Sequence, residues 1–189
     1  VGTAGSIIAV IIYSYYLAKV LNGDTKPHPY SWLIWSLVSG ISGAGQIAGG
    51  GGAGSWVTLT SSFMCFTIFL SSLKYGENKI HKFDTVCLFV SLLAIPLWIV
   101  TDTPLWSVIL VTIVDTVGFI PTIRKSYFKP HQEAVLTYLG SSLKNVFGIL
   151  ALEKYSLVTL LYPGILLITS SLFSVLILLR RHALKIDTQ

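Results

Sequence analysis

"TKPHPYSWLIW" (Thr25–Trp35) and "FKPHQEAVLTY" (Phe128–Tyr138) each place Lys-Pro-His directly ahead of a long apolar run. Lys26 and Lys129 stand 103 positions apart. Sliding the chain by that interval brings Leu33 onto Leu136, Ser39 onto Ser142, Gly45 onto Gly148 and Ala48 onto Ala151, with Trp35 falling on Tyr138. Self-similarity at a fixed interval points to a repeated structural unit. Proline stops the helix before it and sets an extended entry to the next one, so Pro27 and Pro130 read as a repeated corner between helices. His28 and His131 are then expected at the membrane interface, in loops.

Composition decides what the unit is made of. Only 11% of the 189 residues are charged, where a soluble domain carries about 25%, so the charges are too few to coat a soluble surface. The 53% that are apolar fall into blocks, and seven approach the roughly 20 residues that carry a helix across a bilayer. They are Gly2–Leu21, Tyr30–Ala48, Ser55–Leu73, Phe83–Val100, Pro104–Ile123, Ala134–Leu152 and Leu157–Leu179. Barrel strands would instead alternate over about ten residues. A signal peptide would begin with a basic stretch and end on small residues, and Gly2–Leu21 does neither, so it counts as a span. The expected fold is an all-α integral membrane protein of seven transmembrane helices.

The basic residues orient it. Eleven of the thirteen Lys and Arg fall on one side: Lys19, Lys26, Lys74, Lys79, Lys82, Arg124, Lys125, Lys129, Arg180, Arg181 and Lys185. The opposite connections hold only Lys154, and Lys144 lies inside a span. Positive loops stay cytoplasmic, which sets the N-terminus outside and the C-terminus in the cytoplasm of a multi-pass plasma membrane protein, of the bacterial inner-membrane kind. The +5 net charge is thus spent on the membrane surface, and no nucleic acid is expected as a partner.

A three-helix unit ends on the side opposite its start, so a second copy in the same orientation needs one extra crossing. Residues 1–74 and 104–181 are the two triple-helix repeats, and 83–101 is the linking helix, a 3+1+3 plan. Parallel repeats about an axis along the membrane normal are a transporter design.

This plan, with the stretch "GFIPTIRKSYFKPHQEAVLTYLGSSLKNVFGILAL", resembles the PQ-loop superfamily, which includes the SWEET and SemiSWEET sugar facilitators and the Pnu-type vitamin transporters. Pro121 stands at that group's proline, Thr122 replaces its glutamine, and Ala18 holds the equivalent place in the first repeat. The resemblance implies solute transport by alternating access at a site between the triplets. The sugar carriers use asparagines in the third and seventh helices. Here those helices carry "TSSF" (Thr60–Phe63) and "TSSL" (Thr169–Leu172) instead.

Two charges fall at membrane depth, where each costs about 2.5–3.5 kcal/mol on insertion scales. Asp115 is near the middle of the fifth span and Lys144 near the middle of the sixth. Consecutive antiparallel helices set them at similar depth, facing each other or sharing a polar cavity. They serve a substrate or proton, or they form a buried pair that fixes register. The first repeat has Ile12 and Ile41 in their places, so the site is asymmetric. Asn145 and Gln46 are candidates for hydrogen-bonding a solute, as are Ser39 and its mate Ser142. Trp35 and Tyr138 are candidates for a facing aromatic pair, suited to a sugar or a heterocycle. Pro121 is the candidate gating hinge, about one turn from the cytoplasmic end. Trp56, Trp98 and Trp106 read as interfacial anchors. Gly40, Ala44 and Ala48, with Gly45 and Gly49, form a small-residue face for close helix packing.

The expected function is a carrier or facilitator for a small polar solute. The alternative is a non-transporting membrane receptor or assembly subunit of the same fold. An enzyme is not expected, for the spans hold no His-rich cluster, Ser/His pair or paired carboxylates. A retinal protein would need a lysine in Leu157–Leu179, which has none. No cofactor, metal site or disulfide is expected, with Cys65 and Cys87 packed or lipid-facing inside spans. The expected partners are the solute, the lipid bilayer and, in a homo-oligomer, a second copy of the chain.

Overall fold

A computed structural model describes residues 1–89, 92 and 104–186. The chain is all-helical, with seven helices and no strand among the described residues. They are α1 (Gly2–Leu21), α2 (Pro29–Ala48), α3 (Ala53–Tyr75), α4 (helical over 82–89), α5 (Pro104–Phe128), α6 (Val135–Leu150) and α7 (Leu157–Ile186), with a 3-10 turn at Pro130–Gln132. The rest of the expected fourth span, with Pro96 and Trp98, and the loop 101–103 lie outside the described residues.

The helix ends follow local chemistry. His28 is extended (φ −84°, ψ 114°), as a residue before proline must be, and Pro29 opens α2 where a missing N–H costs nothing. The second Lys-Pro-His departs from the first: it makes one 3-10 turn and leads into α6 through extended Glu133. At α7, the Thr159 N–H donates to Ser156 Oγ (3.3 Å) and the Ser156 N–H to Thr159 Oγ1 (3.0 Å), a reciprocal cap with threonine in place of glutamate.

α5 and α7 outrun the expected spans, α5 by five residues and α7 by seven. The apolar run ends at the first arginines, but a helix propagates through charged residues as readily as through apolar ones. Pro121 therefore lies about two turns inside α5, not one turn from its end. Pro163 lies inside α7 as well.

α1 and α2 both pack on α3, and α5 and α6 both pack on α7. Between these sets α1 meets α6, α2 meets α5, α3 meets α6 and α2 meets α7. Two glycines make the cross-set approach close. A methyl on Gly140 would strike Ile12 of α1, and one on Gly118 would come within 2.7 Å of Ile34 Cγ2. Within the first set, Gly43 is pressed against Leu59 and Gly40 lies near Ser62. Ala44 and Ala48 are exposed, and Gly45 faces open space, so the expected small-residue face is rotated toward Gly40 and Gly43.

Two helices, α2 and α6, turn polar residues inward, and α6 keeps an apolar face outside. On α6, Leu136, Leu139, Leu143, Val146 and Leu150 form the exposed face, while Thr137, Tyr138, Ser141, Lys144 and Asn145 are buried. α2 buries Ser31, Ser36, Ser39, Ser42 and Gln46. In water this arrangement would be inverted, whereas in lipid the apolar face is the solvated one. Three described helices, α1, α3 and α7, are both long and apolar enough to cross a membrane. The inward polar faces of α2 and α6 lower their apolar content, and α6 has only 16 residues. Trp56 and Trp106 are exposed near helix ends, as interfacial anchors require.

Candidate functional site

A cavity of about 40 Å³ lies where the two helix sets meet. α1 supplies Tyr13, α2 supplies Trp32, Trp35 and Ser39, and α3 supplies Cys65. Asp115 and Phe119 come from α5, Thr137, Tyr138, Ser141 and Lys144 from α6, and Tyr162, Leu166 and Ser170 from α7. Ligand pockets measure about 300–1,000 Å³. At about 40 Å³ the cavity has room for water, and a larger solute fits only if the helices part.

Asp115 and Lys144, each 1% exposed, share this cavity without forming an ion pair. Asp115 Oδ1 accepts from the Tyr162 hydroxyl at 3.2 Å, and that hydroxyl lies 2.8 Å from Ser39 Oγ. Asp115 Oδ2 has no partner. Lys144 Nζ donates one long bond, 3.4 Å, to Asn145 Oδ1, and lies 5.8 Å from the centre of the Tyr13 ring. The indole N–H groups of Trp32 and Trp35 and the Thr137 hydroxyl are also buried without partners. An unsatisfied buried polar group costs about 1–3 kcal/mol, so a lining with so many is built for something that satisfies them.

Trp35 and Tyr138 do not form a facing pair. Phe119 stands between them, 4.6 Å from Trp35 and 6.5 Å from Tyr138 between ring centres. Ser39, like Asp115, Lys144, Trp35 and Tyr138, lines the cavity. Three other candidates lie elsewhere. Asn145 is buried beside it, holding Lys144. Ser142 donates to the Tyr138 carbonyl (3.2 Å) and accepts from Ser171 (3.0 Å), tying α6 to α7. Gln46 accepts from Thr58 (3.0 Å), tying α2 to α3.

A second polar cluster occupies the basic end. Lys125, counted from sequence as a loop charge, is buried and donates to Glu133 Oε1, to the Lys26 carbonyl and, at 3.3 Å, to the Gln132 carbonyl. Glu133 Oε2 accepts from Tyr16 and Tyr138, both at 3.1 Å. The Lys26 N–H donates to the Gln132 carbonyl at 3.2 Å, so the two Lys-Pro-His corners touch. Lys129 pairs with Glu77 (2.8 Å), and Arg124 with Asp84 (2.6 Å). His28, expected at the interface, is instead fully buried with Nε2 3.3 Å from Asp84 Oδ2. Burial lowers the His28 pKa, and Lys125 and Arg124 push the same way, outweighing Asp84. A neutral imidazole that donates from Nε2 fits this setting. Burial raises Glu77, but the Lys129 ammonium and the Lys79 N–H outweigh it and hold the carboxyl below its usual range.

Phe119, Tyr13, Tyr162 and Glu133 escaped the sequence reading. A signal existed for α1: Gly2, Gly5, Ala9, Tyr13, Tyr16 and Val20 recur every three or four residues and form its buried face. The chain matches no known family model, no curated protein and no solved structure.

Proposed function

We propose that the chain is an alternating-access carrier or facilitator for a small polar solute, sugar- or vitamin-like, built on the seven-span, 3+1+3 plan of the PQ-loop superfamily. One observation carries the reading. Two groups of opposite formal charge, Asp115 and Lys144, line one buried, aromatic-walled cavity between two helix sets without meeting in an ion pair. A purely structural pair would close to contact, because only contact repays the desolvation of both ions.

The packing supports the repeat. Exchanging α1 with α5, α2 with α6 and α3 with α7 turns the set of packed pairs among these six helices into itself. The cavity then sits on the pseudo-axis, where two rocking units would expose it to each side in turn. The basic end is the cytoplasmic one on this reading.

The lining also narrows the solute. Lys144 and two indole N–H groups ask for acceptors, and Asp115 Oδ2 asks for a donor. A net-neutral solute with oxygen acceptors and at least one N–H or O–H donor answers both, and the rings offer it flat walls.

The test is flux. Protein in proteoliposomes should move a labelled solute in both directions, the solute being chosen by thermal stabilisation across sugars, vitamins, nucleosides and amino acids. Saturable binding with no flux would refute the carrier and leave a receptor.

A further inference from the structure

Glu133 is not part of the cavity wall, yet one wall residue is fastened to it. The Tyr138 ring lines the cavity, and its hydroxyl donates to Glu133 Oε2 at 3.1 Å. Tyr16 of α1 donates to the same oxygen from the other helix set. The other carboxylate oxygen takes the Lys125 ammonium, which also holds the Lys26 carbonyl from the first Lys-Pro-His corner and the Gln132 carbonyl from the second. Arg181 of α7 fixes the backbone beneath, donating to the carbonyls of Pro130 (3.1 Å) and Glu133 (2.5 Å). Two of these contacts cross between the helix sets, Tyr16 to Glu133 and Lys125 to the Lys26 carbonyl, and both must part if the cavity is to open at the basic end.

We infer that the Lys125–Glu133 pair is a latch that shuts the basic end of the cavity, and that Tyr138 ties its state to what the cavity holds. The inference goes beyond the carrier reading, because it concerns access to the cavity and not what passes through. A buried ion pair suits such a device better than apolar packing. Its charges lose most of their attraction in water but regain their hydration when exposed, so opening and closing lie close in free energy. Pro121 lies one helical turn before Lys125 and removes one backbone bond from α5, which gives the segment carrying Arg124 and Lys125 a place to bend. The neighbouring Lys129–Glu77 pair is different. Its lysine is 41% exposed, and it braces the corner from outside.

Cys65 reports the outcome, since it lines the cavity. In full-length Cys87→Ala protein, a membrane-impermeant cationic methanethiosulfonate is applied to spheroplasts and to inverted membrane vesicles. Modification of the Cys65 peptide is followed by mass spectrometry, and protease access to a C-terminal tag identifies the basic side. Glu133→Gln should speed labelling from the basic side at least tenfold and leave the other side unchanged. Lys129→Gln should change it less than twofold. Lys26→Cys with Gln132→Cys, oxidised to a disulfide across the corners, should return the Glu133→Gln protein to slow labelling, and reductant should release it. In the protein that keeps Glu133, the same disulfide should push labelling from the basic side below that of the reduced form. The latch is overturned if folded Glu133→Gln labels no faster, if it labels faster from both sides, or if the disulfide leaves labelling unchanged. Should Glu133→Gln fail to fold, the disulfide in the protein that keeps Glu133 decides alone.

Discussion

Replacing Lys144 by methionine should leave the protein about as stable as before but inactive. Inserting a charge at the centre of a span costs about 2.5–3.5 kcal/mol. Against this, Lys144 has one hydrogen bond at the long distance of 3.4 Å and the Tyr13 ring at 5.8 Å. The bond is worth about 1 kcal/mol at its length, and the desolvated ring contact up to about 2 kcal/mol. The attraction of Asp115 across the same cavity adds to that side. The ammonium therefore comes out near balance. Methionine keeps the length and apolar stem, but it strands Asn145 Oδ1 and leaves Asp115 without the opposite charge. Stability should stay within about 1 kcal/mol of the parent, or about 4 °C in the melting temperature of a chain this size. A thermal ramp in detergent followed by light scattering measures it, and flux is assayed in parallel on the same preparation. A fall of more than about 5 °C would sink the reasoning, because it would mean that Lys144 is a structural tie whose partners suffer when it leaves.

Asp115→Asn should also abolish flux, with a melting temperature within about 4 °C of the parent, because the amide still accepts from Tyr162. Gly140→Val should destabilise by about 1–3 kcal/mol through overpacking against Ile12, and Ile12→Ala should recover part of that in the double variant, as read from the same thermal ramps. Acid should destabilise the protein in two stages. His28 has a lowered folded pKa, so the unfolded chain takes its proton first and stability declines as pH falls below about 6.5. Glu77, also lowered, contributes above the usual carboxylate range, and that contribution fades as pH falls through about 4 and below. Melting temperatures across pH 7 to 5 should slope downward, and His28→Gln should flatten that slope.

The bounds of α1 and the centres of α2, α3, α5, α6 and α7 were legible because a run of apolar residues is a local property. The ends of α5 and α7 were not, since the signal used was lipid solubility and the helix obeys backbone bonding. Asp115 and Lys144 stood out by their rarity at membrane depth, and both line the cavity. Phe119 did not stand out, because an aromatic in a span looks the same whether it faces lipid or a cavity. Lys125 and Glu133 were hidden for a related reason. A basic residue near a helix end counts toward orientation, and nothing local reveals that a carboxylate eight positions later swings back to bury it. His28 was misjudged in the same way, since its partner Asp84 lies 56 positions away.

The two corners meet through unlike contributions, and this bears on ancestry under the proposed duplication. The first corner offers the second only main-chain atoms, the N–H and carbonyl of Lys26, which nearly any sequence could provide. The second offers the ammonium of Lys125 and the carboxylate of Glu133. One repeat interval earlier stand Asn22 and Tyr30, neither of them a lysine or a carboxylate. A symmetric pairing of two identical halves would crowd two ammoniums about one axis. Under that proposal, fusing the halves into a single polypeptide would free one of them to discard its charges and let the other's cation serve both.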